Sequence, residues 1–337
     1  MKKIRITILY SLVLLLTGSC IHQYPAGVES VETKKVNLNV EVTLHREFIP
    51  LPVITKSEPD VVPEGYLPRF IVEACKPGEN VPCARQVVSI NAGQLLGDRI
   101  LLPVSLPLDA EPHNLTVWAD YVKDESLADA HYNTKSLRSV SYLTPYMEDH
   151  LARDAFFGNL AVDLSHSEGE VTARVSMKRP LAHYRVIATD VQEFLSKQQA
   201  NGRPGTGEYE VTVTYQYFLV TRMNATTGEL TDSGTGFGYT RKISITNNMT
   251  ECELGADYVL ADDKGSLVTV TVEVKDREGD TVSRSVNLEI PYKRGHTTTV
   301  TGAFLTAKSG SGSSEGGLDV GIDDDYDGEF NVNMSGE

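Results

Sequence analysis

Asp232-Ser233-Gly234-Thr235-Gly236 is the stretch of this chain that matches a catalytic signature by residue type and spacing. Asp followed by Ser or Thr, Gly, and Ser or Thr marks the aspartic proteases, in which two such carboxylates share one proton over a water. The chain carries a single copy, and no apolar strand leads into the Asp. Asp, Ser and Gly are also ordinary hairpin residues, and between two extended segments they read as a turn. Downstream, Asp325, Asp327 and Glu329 stand at alternate positions of an acidic run and could present oxygens to calcium. The run lacks the loop order and closing bidentate Glu of a calcium site, so it reads as a solvated acidic tail.

The remaining chemistry-bearing residues do not assemble into a centre. The 8 histidines are scattered, with no His-Glu-x-x-His, and no Cys-x-x-Cys occurs, so no metal ligands are expected. Gly-Ser-Gly fragments between Ser309 and Ser314 sit in low-complexity sequence, whereas a nucleophilic serine needs a rigid strand-to-helix turn. Gly234, Gly236 and Gly238 precede no helix whose N-terminus would cradle a phosphate. No catalytic residue and no cofactor is expected, and the weight moves to binding or assembly.

Of the 4 cysteines, Cys20 closes a targeting segment. Lys2, Lys3 and Arg5 precede an apolar run from Ile6 to Leu16 that is too short to span a bilayer, followed by Thr17, Gly18, Ser19 and Cys20. Residues 1–20 are read as a lipoprotein signal peptide, with Cys20 acylated and the chain tethered through residues 21–35. Cys75 and Cys83 bracket a loop, Lys76-Pro77-Gly78-Glu79-Asn80-Val81-Pro82, whose turn residues could bring the two sulfurs together; in an oxidising envelope they are a candidate disulfide, or two free thiols on neighbouring strands. Cys252 has no evident partner.

The elements that would position these residues are strands. Val36, Leu38, Val40, Val42 and Leu44 alternate with polar residues, as do Val211 to Leu219 and Val268 to Val274. Ten further strand candidates are separated by turn signals such as Pro77-Gly78, Thr227-Gly228 and Glu278-Gly279-Asp280. One helix is expected, with Asp190 and Glu193 as a capping-box-like start and Asn201-Gly202 as the stop. Many short strands without alternating helices give an all-β class built of sandwiches. A break near residue 165 divides the strands into an N-terminal sandwich over 36–165 and a C-terminal one over 166–308, followed by a Ser/Gly linker and acidic tail over 309–337. Trp118, the sole tryptophan, reads as a core anchor.

Against 31 Lys and Arg stand 46 Asp and Glu, a formal charge of −15 that becomes −18 once residues 1–20, with three basic residues and no acid, are removed. Such a surface repels phosphate backbones, which disfavours nucleic acid as a partner.

Several short motifs carry a resemblance. The lipobox at Cys20, Trp118-Ala119-Asp120-Tyr121-Val122, Tyr132-Asn133-Thr134, Asp154-Ala155-Phe156-Phe157-Gly158, Lys178-Arg179-Pro180-Leu181-Ala182, Ile290-Pro291-Tyr292-Lys293-Arg294 and Thr299-Val300-Thr301-Gly302 resemble the fimbrillin-like proteins of Bacteroidales. The resemblance implies two tandem transthyretin-like Greek-key β-sandwich domains. It also implies export as a lipoprotein to the outer membrane and cell surface, and a role in fimbriae or adhesion with other fimbrial subunits, and host or bacterial surface ligands, as partners. In shaft subunits of that family a protease cuts after an Arg beyond the first strand, and Arg46 is the matching position here. Leu318, Val320 and Ile322 alternate after the flexible linker as a donated strand would, although the segment could equally fold back on its own domain. Three readings follow: an anchored accessory subunit or adhesin, a cleaved and polymerising shaft or tip subunit, and, from another class, a glycan-binding surface lipoprotein.

Overall fold

The protein's structure, a computed structural model, describes residues 34–44, 62–96, 99–146, 151–307, 319–322 and 329–334. Strand β1 (Lys35–Leu44) carries the alternation expected of it, and Val36, Leu38, Val40 and Val42 are all fully buried. It pairs antiparallel with β4 (Arg99–Asp109) and parallel with β9 (Gly169–Met177), so it is the middle strand of a sheet ordered β4-β1-β9. A second sheet, ordered β3-β2-β5-β8, joins β2 (Leu67–Cys75), β3 (Ala84–Ser89), β5 (Pro112–Val122) and β8 (Phe156–Asp163). The inner faces of the two sheets enclose a core of Leu38, Val40, Phe70, Val72, Leu115, Val117 and Phe156 among others. The sandwich is laced along two margins. Gln86 on β3 donates its amide to the Ser105 carbonyl on β4 at 3.0 Å, and Phe157 and Lys178 exchange backbone hydrogen bonds at 2.9 and 2.8 Å.

The two central strands of the second sheet, β2 and β5, are buried on both faces. Every residue of β5 from Leu115 to Val122 is buried, because Trp118, with Ile71 and Phe157 from its neighbours, points away from the first core into another. Strands covered on both sides read as continuous apolar runs rather than as alternation. That second core lies between two further sheets. One is ordered β15-β10-β18-β20-β19 and contains β10 (Leu181–Ala188), β15 (Cys252–Leu260), β18 (Thr297–Gly302), β19 (Asp319–Ile322) and β20 (Glu329–Met334). The other is ordered β14-β11-β16-β17 and contains β11 (Gly207–Tyr215), β14 (Gly238–Ile245), β16 (Ser266–Lys275) and β17 (Thr281–Tyr292). A fifth sheet, ordered β13-β12-β7-β6, takes β6 (Tyr132–Asn133) and β7 (Val140–Tyr142) from the first half of the chain and β12 (Leu219–Asn224) and β13 (Glu229–Gly234) from the second. Its Tyr132, Val140, Leu219 and Met223 belong to the second core.

The molecule is thus all-β with sandwiched sheets and, among the described residues, one α-helix, α1 (Val191–Ala200). The Asp190 carboxylate makes no side-chain cap on α1; it accepts the backbone amides of Leu305 at 3.2 Å and Thr306 at 2.7 Å. A capping residue by sequence is thereby a tie for the segment that leaves β18. The chain break drawn near residue 165 falls ahead of β9, which hydrogen-bonds along its length to β1 and lines the first core.

Candidate functional site

Two strand placements and one buried polar seam are the features from which a function can be built. The first placement is β1 itself, held on both sides by backbone ladders and below by four apolar side chains with no exposed surface. Its register runs without interruption from Val36 opposite Gly169 to Leu44 opposite Met177. On the other side it meets β4, whose Pro103 and Pro107 lie at exposed positions of a sheet-edge strand. Proline has no amide to offer a further strand, so this edge is closed to additional pairing at those points. The residues that would anchor or release β1, Cys20 and Arg46, lie outside the described residues.

The second placement is at the C-terminus. β20 pairs in parallel with β18, from Thr297 opposite Glu329 to Gly302 opposite Met334, and β19 pairs antiparallel with β20 on its outer side. Val320 and Ile322 therefore lie in the outermost strand of the chain's own five-stranded sheet, while Leu318 lies outside the described residues.

The polar seam joins the elements around the second core. Asp257 on β15 has no exposed surface and accepts from Arg153, from Tyr146 and Tyr215 hydroxyls at 2.7 Å each, and from the Tyr258 amide at 2.8 Å. Tyr184 extends the chain to Tyr215 at 2.9 Å, and the Arg153 guanidinium lies 3.8 Å from the centre of the Tyr146 ring. The next residue, Asp154, takes a two-point contact from Arg179 at 2.8 and 2.9 Å. Burial pushes the Asp154 carboxyl up, against the pull of that guanidinium. A third pair, Arg69 with Asp120 at 2.8 and 2.6 Å, also receives the Trp118 indole N–H at 3.0 Å. Buried charges of this kind persist only when paired and hydrogen-bonded. The carboxylates face guanidinium and phenol groups inside the fold, and their work is to fix one strand against another.

The sequence motifs fall into place accordingly. Asp232 lies within β13 and not in a turn, exposed, with Arg222 at 3.8 Å, and the turn comes at Thr235 to Phe237. Asp323 to Gly328 lie outside the described residues, and among the described residues no group of three or more His, Cys, Asp or Glu is placed to hold a metal. Cys75 is buried and Cys83 exposed, both as free thiols, and Cys252 is buried. A cavity of about 250 Å³ opens between the end of α1 and the β16–β17 turn, where Arg203 already pairs with Asp276 at 3.0 Å and Asp280 at 3.3 Å. Among the described residues no helix is long and apolar enough to cross a membrane.

The residues that sequence reasoning missed are Arg153, Asp257 and Tyr146. Asp257 lies in Cys252–Leu260, where Cys252 and Leu254 to Leu260 are all buried, a run without the alternation that marks a half-exposed strand. The pairing of Asp154 with Arg179 was available only as two separate motifs.

No curated protein matches the chain. Among solved structures it is similar to a candidate polysaccharide-binding protein of Bacteroides thetaiotaomicron, at 8% identity over 75% of this chain and 80% of that one, with a TM-score of 0.41. It is similar also to the fimbrial anchor protein Mfa2 of Porphyromonas gingivalis, at 10% identity over 74% and 82% with a TM-score of 0.38. A candidate cell-adhesion protein of Bacteroides ovatus matches at 14% identity over 80% and 92%, with a TM-score of 0.39. Residues 29–335 match the model of a family of unknown function, DUF6562, and the chain belongs to that family.

Proposed function

We propose that this protein is a non-enzymatic surface component, an anchored fimbrial accessory subunit or adhesin, held to the outer membrane by acyl chains on Cys20. The observation that carries the reading is the seat of β1. Only residues 21–34 separate Cys20 from a strand whose four inward side chains are wholly buried and whose two edges are both paired. A pull on the lipid is therefore delivered directly to the centre of a sheet, where it is resisted by two ladders at once. Anchoring and folding use the same strand, and residues 21–46 must stay on the mature chain for either to hold. The C-terminal hairpin on β18 supplies the complementary feature, a short edge strand at which another subunit's strand can add.

The competing reading, a shaft or tip subunit cut after Arg46, draws on the same strand, because its loss would leave a groove of one strand's width between β4 and β9. Mass measurement of the N-terminal peptide of protein taken from its own envelope separates the two. An acylated Cys20 with residues 21–46 retained is the expected result, together with release of a Cys20→Ser variant from the membrane fraction. A mature chain that begins at Glu47 and forms ladders in unheated gels overturns the anchored reading in favour of the polymer.

A further inference from the structure

The cavity of about 250 Å³ at the end of α1 is lined by two glycines that other side chains press against. Gly205 and Gly207 stand at φ of +70° and +134°. A Cβ on Gly205 would lie 3.1 Å from the Gln198 Cβ, and one on Gly207 would lie 3.2 Å from a guanidinium nitrogen of Arg277. Bare backbone at these two places lets Gln198 and Arg277 come in close, and two residues of chain separate their seats by no more than about 7 Å.

Gln198 follows Phe194 by one turn on the buried face of α1 and is 8% exposed. Its backbone carbonyl accepts the Arg203 amide at 2.9 Å, while its side-chain amide makes no hydrogen bond within the described residues. A buried amide is costly to leave unpaired, and nearly all such groups are satisfied. Arg277 is exposed and lies between Asp276 and Glu278 in sequence, yet it forms no ion pair with a described residue. Asp276 is already committed, since its carboxylate accepts from Arg203 at 3.0 Å and from the Asp280 amide at 2.9 Å. Glu208 and Glu278 line the same cavity and also form no ion pair with a described residue.

The uncommitted groups are thus a guanidinium, a buried amide and two carboxylates. A simple anion entering here meets Glu208 and Glu278, and a simple cation meets Arg277. Charges of both signs, close together but not paired with each other, are complemented by a ligand that carries both signs itself. We propose that this cavity binds a small zwitterion of the α-amino acid type, its carboxylate taken by Arg277 and Gln198 and its ammonium by Glu208 or Glu278. The forked donors of an arginine match a carboxylate at two points. The volume lies just under the range of about 300–1,000 Å³ that accommodates drug-sized ligands, which suits one amino acid. The cavity is formed in advance, because Arg203 ties the end of α1 to Asp276 and Asp280 of the β16–β17 turn. This binding activity goes beyond anchoring or adhesion and makes no use of residues 21–46.

The test is titration of the ¹⁵N-labelled full chain with glycine and L-alanine, and separately with acetate, ethylammonium and glucose, following the Gln198 side-chain amide and the backbone amides of Gly205 and Gly207. The expected result is a saturating shift of these signals with the two amino acids, at concentrations about tenfold or more below those at which acetate, ethylammonium or glucose moves them. Arg277→Gln should weaken amino-acid binding by about tenfold or more at an unchanged melting temperature, since this exposed side chain holds no other element. Gln198→Leu, which keeps the side chain's bulk, should weaken it as well. Acetate binding as tightly as alanine would make this a plain anion site, and glucose doing so would make it a hydroxyl site; either overturns the proposal. It is overturned equally if neither amino acid moves the three signals, or if Arg277→Gln binds as the wild type does. Because the state of Cys20 is measured independently, the anchored reading and this one can fail separately.

Discussion

Arg153 and Asp257 show how much of this fold rests on a few charges. The Arg153 side chain is 2% exposed and the Asp257 side chain fully buried, so removing one charge strands the other where water cannot compensate it. Asp257→Asn is expected to cost about 3–5 kcal/mol in urea denaturation, against about 1 kcal/mol for Tyr146→Phe, which removes one hydrogen bond and leaves the ion pair intact. Equal costs for the two variants would show that the guanidinium is not electrostatically dependent on Asp257. Glu253 gives the pH-dependent counterpart. Burial acts to raise its carboxyl, but Arg185 at 2.7 Å and Arg241 at 3.0 Å outweigh burial and hold it below its ordinary 4.5. The folded chain therefore binds this proton less tightly than the unfolded one. The stability it contributes is present above the ordinary glutamate range and is lost as pH falls through the folded value. The gap between wild type and Glu253→Gln should be about 1 kcal/mol near neutrality and should shrink towards none as pH falls through the folded value. A gap that does not change with pH would remove Glu253 from the ion pairs. None of these partners was legible in the sequence. Asp154 and Arg179 stood in two separate motifs of the resemblance, and nothing in their spacing said that the motifs were two halves of one contact.

At the scale of elements, legibility followed exposure. The alternation of β1 and β16 located them to within a few residues, whereas the run read as one strand from Val211 to Leu219 is broken: β11 ends at Tyr215, Tyr217 is exposed and Leu219 opens β12. β15 is buried on both faces, and β12 and β13 are short, so neither kind carries the period that marks a strand. The Asp190 signal found the start of α1 but not the use of its carboxylate, since a cap and a long-range tie to Leu305 and Thr306 look alike in sequence. Glycine tells a similar story at the seam between β8 and β9. A Cβ on Gly158 would lie 2.5 Å from the Ser176 carbonyl oxygen and 2.7 Å from a Val175 methyl, distances that force the two strands apart. Gly158→Ala should destabilise the protein by about 3 kcal/mol and speed amide exchange at Phe157 and Lys178, whose mutual hydrogen bonds close this margin. Unchanged exchange at those two amides would show that the strands tolerate the added methyl without parting.

Over the whole molecule the decisive quantity is what β1 contributes. Val36, Leu38, Val40 and Val42 lose all exposure on folding, and at roughly 1.5–3 kcal/mol each their burial amounts to about 6–12 kcal/mol. That is comparable with the entire stability of an ordinary domain, of about 5–15 kcal/mol. Removal of β1 also unpairs one edge of β4 and one of β9. A chain that begins at Glu47 should therefore fail to form the first core by itself. The second core draws its residues from Ile71 onward and none from β1, so the chain is expected to melt in part and not as a whole. A peptide of residues 34–46 added in trans should restore the lost portion, because the groove selects an alternating apolar strand of this length and asks nothing of covalent continuity. Circular dichroism and amide exchange over β4 and β9, with and without the peptide, measure both statements. If the shortened chain keeps full protection on β4 and β9 without any peptide, the first sheet is stable without its middle strand. The case for an anchor that depends on retaining residues 21–46 would then lose its physical ground.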